Sequence, residues 1–402
     1  MNPKMVLFGA GKIGRSFIGQ LFARSGYEVV FVDINAAVIN ALNEKRRYKV
    51  VIKSDSDETI WVENVRGVLG SEKQSVTDEL AGADIAAVSV GQKALPFILP
   101  VIAAAIERRY SEKKKPLDII LAENMRNADV YVFDELKKIV SPSVPLKDCV
   151  GLIETSIGKM VPIMPREEEL KDVLQVFAEP YNTLILDKKA FKNPIPAVEG
   201  LAPKENMKAW VDRKSFIHNF GHAVVSYIGY LYNPKFVYLY EALAVKSIKD
   251  FTRIAMKEAA EILMKKYPGE FTVEHLSDHI DDLIKRFENK ALGDTIYRVG
   301  CDLKRKLSRN DRIVGLLMEG LAMKMPVDNV LFTLVCGLCF KAVGENGEMF
   351  PADVEFHNEL NSRGPKFILH NLCGIPSHES EIAYKTLCFY KNIENLFKEK
   401  IK

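Results

Sequence analysis

The N-terminal segment carries the feature that most constrains the fold, a glycine-rich turn between a strand and a helix. Lys4–Phe8 is a short apolar run typical of a buried strand, and it leads directly into GAGKIG at residues 9–14. Ser16–Ser25 has the pattern of a helix closed by a glycine, and Glu28–Val32 is a second apolar run. This order of strand, glycine turn, helix and strand predicts a dinucleotide-binding βαβ unit.

Each glycine of the turn has a separate physical task. Gly9 permits the tight turn, Gly11 lets a pyrophosphate approach the backbone, and Gly14 lets the helix pack closely on the strand. Asp33 ends the second strand, where a carboxylate accepts hydrogen bonds from ribose hydroxyls and repels a 2′-phosphate. We therefore expect NAD rather than NADP as the cofactor. The predicted cofactor contacts are Phe8, Gly9, Gly11, Lys12, Ile13, Gly14, Asp33, Val90 and Gly91.

Strand-like and helix-like segments alternate through the rest of the first half, which predicts a parallel, doubly wound sheet. The segments are Asp84–Val90, Leu117–Leu121 and Cys149–Ile153 as strands, and Ala94–Ile106 and Val130–Ile139 as helices. Residues 43–65 suggest an inserted hairpin. The proline-rich stretch 162–203, in which only Thr183–Leu186 has a strand pattern, suggests a connection to a second domain. From Lys208 onward the periodicity is almost entirely helical. We predict an α/β protein with a Rossmann-type NAD-binding domain at residues 1–195 and an all-α substrate domain at 196–402.

Composition excludes several classes of function. The net charge of +3 over 402 residues is too small to indicate a nucleic-acid-binding protein, and no apolar run reaches the ~20 residues that span a bilayer. The six cysteines are scattered and do not form a disulfide framework. The strand pattern begins within a few residues of Met1, so we expect no signal peptide and a cytoplasmic protein with a small-molecule substrate.

Polar groups with catalytic potential lie together in Val211–Tyr230, which is predicted to be a helix with Asp212 as its N-cap. At about 100° per residue, Lys214, His218, His222 and Asn219 share one side of this helix. An amine that has lost its proton, beside neutral donors, is suited to removing a proton from an alcohol. Burial is expected to favour the neutral form of Lys214.

Two further polar candidates have less specific patterns. Asn124 follows a predicted strand, where its amide either donates to a substrate oxygen or completes a turn. The basic segment 298–312 either receives a phosphate or carboxylate or forms a solvated turn. Its candidate substrate-binding residues are Lys304, Arg305, Arg309 and Arg312.

Metal binding is not predicted. His218 and His222 have the spacing of a helical zinc pair, but Asn219 stands where a hydrolase carries its glutamate, and the sequence suggests no third ligand. Cys336 and Cys339 form a CxxC inside an apolar run without a second ligand pair, which favours buried structural thiols.

With these residues identified, the chain resembles the polyol-specific long-chain dehydrogenases of the mannitol dehydrogenase family over nearly its full length. The resemblance is carried by FGAGKIGRSFIG at 8–19, AENM at 122–125 and VDRKSFIHNFGHA at 211–223, with RVGCDLKRKLSRNDR at 298–312 close to a fourth family block. It implies that Lys214 is a zinc-independent general base, that Asn219 and Asn124 stabilise the alkoxide, and that His222 orients the substrate.

The length of the chain resembles the branch of the family that acts on phosphorylated sugars, which implies interconversion of mannitol 1-phosphate and fructose 6-phosphate. The chain departs from the family pattern at Ile157-Gly158-Lys159, where Val-Asp-Arg is frequent, at Cys301 in place of Arg and at Leu303 in place of Pro. These departures keep a hexuronate (of the tagaturonate or fructuronate type) or a free polyol open as substrates. A non-catalytic NAD-binding regulator is the alternative from another class.

Overall fold

A computed structural model describes residues 2–54, 56–376 and 380–402. Its contacts divide the chain into two compact units, Met1–Val211 and Asp212–Lys402. The first unit is built around a sheet, and the second is helical. This confirms the predicted fold class.

The first unit contains two sheets and the helices that cover them. Its strands are β1 (Lys4–Phe8), β2 (Glu28–Asp33), β3 (Arg47–Ile52), β4 (Glu58–Glu63), β5 (Val65–Leu69), β6 (Ile85–Val88), β7 (Leu117–Leu121), β8 (Val150–Ser156), β9 (Val176–Ala178), β10 (Leu184–Asp187) and β11 (Leu201–Lys204). Its helices are α1 (Gln20–Arg24), α2 (Ala36–Lys45), α3 (Lys73–Ala81), α4 (Leu95–Ser111), α5 (Ala128–Ile139), α6 (Leu146–Cys149), α7 (Arg166–Lys171) and α8 (Met207–Arg213), of which α8 runs across the division between the units. A π-helical turn, Gly14–Gly19, precedes α1, and a 3-10 turn, Gln92–Ala94, precedes α4.

The main sheet has the strand order β11-β10-β8-β7-β6-β1-β2-β5. The strands from β8 to β5 are parallel, with β1 between β2 and β6. Alternate residues of β1 supply two separate cores: Met5 and Leu7 pack on one face of the sheet, and Val6 and Phe8 on the other. Apolar cores on both faces explain why these strands are continuous apolar runs in the sequence.

The segment that the sequence predicts to be a connection instead contributes strands. β9 pairs with β3, β10 pairs antiparallel with β8, and β11 pairs with β10. The strand pattern at Thr183–Leu186 corresponds to β10 and is confirmed, whereas β9 and β11 were not predicted, because strands of three or four residues are too short to show periodicity. The inserted hairpin is confirmed, since β3 and β4 are antiparallel. β11 lies after the predicted domain boundary at residues 195 and 196, and the boundary itself stays a prediction.

In the described part of the second unit, all the regular elements are helices. They are a π-helical turn (Lys214–Asn219), α9 (Phe220–Tyr232), α10 (Leu239–Leu243), α11 (Lys246–Lys266), α12 (Val273–Phe287), a 3-10 turn (Lys290–Leu292), α13 (Ile296–Gly300), α14 (Leu303–Lys306), α15 (Val314–Ala322), α16 (Asp328–Leu338), α17 (Pro351–Asn371, kinked at Gly364), α18 (Ser380–Lys391) and α19 (Ile393–Lys400). None of the helices in the described ranges is both long enough and apolar enough to cross a membrane.

One predicted helix start in this region was wrong. Asp212 is not an N-cap but lies inside α8, fully buried. Its carboxylate accepts hydrogen bonds from Tyr267 Oη at 2.6 Å and Lys266 Nζ at 2.9 Å. Asp212 therefore anchors α8 to the end of α11, a tertiary role that no local pattern reveals.

Candidate active site

The glycine turn after β1 has the geometry that its sequence predicts. Gly9 has a φ of +96°, and a Cβ there would lie 2.2 Å from Ser89 O. A Cβ on Gly14 would lie 2.0 Å from Gly9 O, so the helix start and the turn pack backbone to backbone. A Cβ on Gly11 would have no atom of the described residues within 4 Å. The turn therefore leaves open space at the glycine that the sequence assigns to the pyrophosphate.

Asp33 closes the turn from the next strand. Its Oδ2 accepts the Ala10 N–H at 2.7 Å, and its Oδ1 accepts the Asn35 N–H at 2.9 Å. The Asn35 side chain in turn caps α2 by accepting from Val38 N and Ala37 N. The predicted ribose acceptor thus also holds the glycine turn in place. Each carboxylate oxygen keeps further acceptor capacity for a ligand.

The loop that carries Val90 and Gly91 is held by a residue that the sequence argument missed. Glu123, 6% exposed, accepts both backbone N–H groups on its Oε1, at 2.8 and 3.0 Å. A sequence signal was present, because Glu123 immediately precedes Asn124 at the end of a strand, where functional polar groups collect in parallel sheets.

Asn124 lies in the first unit, directly after β7, whereas Lys214, Asn219 and His222 lie in the second. Nearby, the Glu154 carboxylate of β8 accepts backbone hydrogen bonds from Asn127 and Ala128, where α5 begins. Burial, and then the charge of Asp129, raise the pKa of Glu154 to about 7. The turn that carries Asn124 is therefore followed by α5, and the partly buried carboxyl group of Glu154 holds the first residues of that helix.

The predicted catalytic helix changes geometry at its functional residues. Lys214–Asn219 is a π-helical turn, in which Phe220 N–H donates to Ser215 O. A π-turn is wider than an α-turn and is frequent at functional sites. The angular spacing calculated for an ideal α-helix therefore does not apply here. The rings of His218 and His222 nevertheless lie near each other, with centroids 5.3 Å apart.

The electrostatic surroundings of Lys214 favour an amine that can lose its proton. Burial, and then the nearby positive charge of Arg312, lower the pKa of Lys214 to about 8, while the Asp311 carboxylate opposes the shift. Arg312 is itself held by Asp311, from Nε to Oδ1 at 2.7 Å. At pH 8 about half of the Lys214 amines are therefore neutral.

The two imidazoles are neutral at physiological pH. Burial is the main cause that lowers the pKa of His218 and of His222 well below the usual value. His222 stacks on Phe287 with centroids 4.0 Å apart, and its Nε2 lies 3.5 Å from Asp294 Oδ2. Asp294 also forms an ion pair with Arg298. Asp294 was not predicted from the sequence, whereas Arg298 is the first residue of the predicted basic segment 298–312.

Each of the four predicted substrate-binding cations contacts a group of the protein, and Arg305 and Arg312 share the Asp311 carboxylate. Lys304 contacts Glu355 at 3.0 Å and Glu359 at 3.2 Å, while Arg305 contacts Asp302 and Asp311. The others donate to backbone carbonyls: Arg309 Nη1 to Gly374 O at 3.2 Å, and Arg312 Nη1 to Asn219 O at 3.5 Å. Of the four, Arg312 is the one whose charge acts on both Lys214 and His222.

Lys306 of the same segment was not among the predicted residues. It is 5% exposed and donates to Val299 O at 2.6 Å. Burial, and then the charge of Arg312, lower its pKa to about 8. Its charge also acts on His222, so it belongs with Arg312 in the surroundings of the catalytic candidates.

The described residues contain no group of three or more His, Cys, Asp or Glu side chains placed to hold a metal ion. Cys336 is buried and Cys339 is partly buried, and both are free thiols. Burial raises the pKa of Cys339 to about 11.

Two family models match the chain. The model described as the mannitol dehydrogenase Rossmann domain matches residues 3–200, and that of the mannitol dehydrogenase C-terminal domain matches residues 206–366. Together they contain the glycine turn, Asn124, the π-helical turn and the basic segment.

Curated relatives resemble the chain over most of its length. A mannitol-1-phosphate 5-dehydrogenase of Brevibacillus brevis is 32% identical over 377 residues, covering 92% of this chain and 94% of the relative. The Streptococcus mutans enzyme of the same name is 35% identical, covering 79% and 82% of the two chains.

Solved structures share the fold at low sequence identity. The Pseudomonas fluorescens mannitol 2-dehydrogenase, in a ternary complex with NAD and D-mannitol, superposes with a TM-score of 0.77 at 16% identity, covering 100% of this chain and 94% of that one. A D-sorbitol dehydrogenase in substrate-free form gives a TM-score of 0.81 at 16% identity, covering 100% and 95%.

Proposed function

Because the chain belongs to the mannitol dehydrogenase family, we propose that this NAD-dependent polyol dehydrogenase interconverts mannitol 1-phosphate and fructose 6-phosphate. The observation that carries the proposal is the identity of 32–35% to enzymes named mannitol-1-phosphate 5-dehydrogenase over most of the chain. Since those relatives are enzymes, the non-catalytic regulator is not favoured.

The first unit fits the cofactor. The open space at Gly11 and the carboxylate of Asp33 suit a pyrophosphate and a ribose. We assign the cofactor contacts to the residues predicted from the sequence, which are Phe8, Gly9, Gly11, Lys12, Ile13, Gly14, Asp33, Val90 and Gly91. NAD, when bound, accepts the hydride that leaves the alcohol carbon.

In polyol oxidation the hydroxyl proton passes to Lys214 Nζ, which the surrounding positive charge and burial keep partly neutral. Asn219 and Asn124 serve as neutral amide donors to the oxygen that develops negative charge. His222, uncharged in its buried position beside Phe287, orients the hydroxyl. In the reverse direction the protonated Lys214 returns the proton to the carbonyl oxygen.

A side-by-side assay tests the substrate. NADH consumption with fructose 6-phosphate, tagaturonate and fructose at equal concentrations should be fastest with fructose 6-phosphate. The departures at Gly158 and Cys301 are the reason to include the other two, since a missing carboxylate and a missing cation both alter substrate recognition. Faster turnover of tagaturonate or fructose would move the proposal to that substrate class.

We predict a preference for NADH over NADPH in the same assay. The Asp33 carboxylate would repel a 2′-phosphate, and the two residues that follow it are Ile34 and Asn35, neither of them cationic. The measurement is kcat/KM for each cofactor with fructose 6-phosphate. Equal or better turnover with NADPH would contradict the assignment of Asp33.

Activity is predicted to be independent of metal ions. His218 and His222 both lie against Phe287, and the one carboxylate described near them, Asp294, also pairs with Arg298, so no group of three metal-ligating side chains is present among the described residues. Dialysis against a strong chelator should leave kcat unchanged, with a zinc-dependent alcohol dehydrogenase as the control that loses activity. A loss that added zinc restores would mean that the histidine pair is a metal site.

Arg305 is proposed to contact the phosphate end of the substrate, with Arg312, Arg309 and Lys304 as neighbouring cations. Arg305→Ala should raise KM for fructose 6-phosphate more than KM for fructose, because only the phosphorylated sugar loses a charge-assisted contact. Arg363→Ala, which removes an exposed guanidinium from α17 outside the basic segment, is the comparison. An equal effect of Arg305→Ala on both sugars would leave Arg305 a structural role.

A further inference from the structure

A single buried carboxylate ties the loop after β6 to the turn after β7. Glu123 Oε1 accepts from Val90 N at 2.8 Å and from Gly91 N at 3.0 Å. The same turn is held from the other direction, because Ala122 N donates to Val88 O at 2.8 Å. Since both peptide groups donate to one oxygen atom, the position of that atom fixes two successive residues of the loop.

This loop also packs against the glycine turn. A Cβ on Gly9 would lie 2.2 Å from the backbone oxygen of Ser89 and 3.4 Å from Val90 Cγ1. The backbone of Gly9 is therefore in direct contact with the loop. Ser89 N donates to Phe8 O at 2.8 Å. A displacement of the loop would therefore reach the backbone that receives the pyrophosphate.

The loop needs an external support because of its backbone conformation. Gly91 has a φ of +85°, in the region that only glycine adopts readily, and a Cβ there would have no atom of the described residues within 4 Å. Glycine also has the greatest conformational freedom to lose. The two hydrogen bonds to Glu123 supply the restraint that side-chain packing at Gly91 does not.

We propose that Glu123 is a positioning residue for the dinucleotide, which holds the Val90–Gly91 loop in the conformation that receives the cofactor. The inference rests on the cofactor part of the proposed function and is independent of Lys214 and of the sugar. Burial raises the pKa of Glu123, and the two backbone hydrogen bonds oppose that shift.

Two conservative variants of Glu123 distinguish the contribution of side-chain length from that of side-chain charge. Glu123→Gln keeps the length and leaves a carbonyl oxygen where Oε1 now accepts both N–H groups. Glu123→Asp keeps the charge, but its carboxylate is one methylene short of the loop. Because a buried donor without its acceptor is strongly unfavourable, the Asp variant should bind NADH about tenfold more weakly. The Gln variant should stay within about threefold of wild type.

Asp118 offers a matched control on the same strand. It is 2% exposed, and its carboxylate accepts from two successive backbone groups, Lys192 N at 2.9 Å and Asn193 N at 3.0 Å. It lies near the start of β7, whereas Glu123 follows the end of that strand. Asp118→Asn should lower Tm while leaving the Kd for NADH within about twofold of wild type.

The measurements are fluorescence titration of the full-length protein with NADH, and thermal unfolding of each variant. Kd should rise for Glu123→Asp and stay near wild type for Glu123→Gln and Asp118→Asn. The inference is overturned if the Asp variant binds NADH as wild type does, if the Gln variant is weakened equally, or if Asp118→Asn has the same effect. A wild-type protein that does not bind NADH would instead refute the proposed function.

Discussion

Lys214→Ala is expected to lower kcat for mannitol 1-phosphate oxidation by at least about 10², the lower end of what a general base contributes. The Kd for NADH should barely change, because the cofactor contacts that we propose belong to the first unit. Lys214→Arg should be equally slow, since a guanidinium keeps the positive charge but does not release its proton at working pH. Lys208→Ala, which removes an exposed amine from α8, should retain wild-type kcat.

The pH dependence distinguishes a lost base from a distorted site. Because the pKa of Lys214 is lowered to about 8, oxidation in the wild type should rise through about pH 8 as the amine becomes neutral. In the proposed mechanism the protonated amine donates the proton during reduction of fructose 6-phosphate, so the rate of reduction should fall over the same range. Lys214→Ala should lack this ionisation in both directions. Near-normal turnover with an unchanged pH profile would place the base elsewhere, first at His222.

The fold class was predictable because its determinants are local in sequence. The apolar runs seen in the sequence cover nearly all of β1, β2 and β7. The glycine turn between β1 and β2 allows two close backbone approaches, of Gly9 to Ser89 and of Gly14 to Gly9. Short strands such as β9 and β11 were not predicted, since their conformation is set by the partners β3 and β10. Tertiary pairing, not propensity, decides such elements.

The two π-helical turns are the reason that the sequence did not predict the relative directions of the side chains at the site. Gly14–Gly19 and Lys214–Asn219 both contain residues predicted to belong to the site, yet a single π-turn leaves no periodic pattern in the sequence. The residue types in each were identified, but their angular relations were not. The directions of the side chains around Lys214 therefore follow from the π-helical backbone and not from the residue spacing.

Charge pairing is the second property that the sequence concealed. The basic segment has a strong cationic pattern, but the glutamates that contact Lys304 come from α17, about fifty residues later. The carboxylate that holds Arg305, Asp311, is by contrast within the segment itself. Counting charges predicted a cationic loop, whereas the structure shows which of its charges matter to the catalytic candidates: Arg312 and Lys306 both help to lower the pKa of His222, and Arg312 also lowers that of Lys214.

Gly9→Ala should strongly destabilise the fold and Gly11→Ala should leave its stability almost unchanged, although the residues are two positions apart. A Cβ on Gly9 would meet Ser89 O at 2.2 Å, at a φ of +96° that alanine disfavours. The backbone is fixed there by Gly9 N donating to Val32 O at 2.8 Å and Ser89 N to Phe8 O at 2.8 Å. Strain and overlap together should lower the free energy of unfolding by about 2–5 kcal/mol.

Gly11→Ala adds its methyl group to open space, so the free energy of unfolding should change by no more than about 0.5 kcal/mol. The same methyl group would occupy the space through which a pyrophosphate reaches the backbone, and the Kd for NADH should therefore rise at least about tenfold. Thermal unfolding and NADH titration of both variants are the measurements. If Gly11→Ala binds NADH as tightly as wild type, the pyrophosphate does not approach the turn at Gly11, and the placement of the cofactor along β1 must be revised.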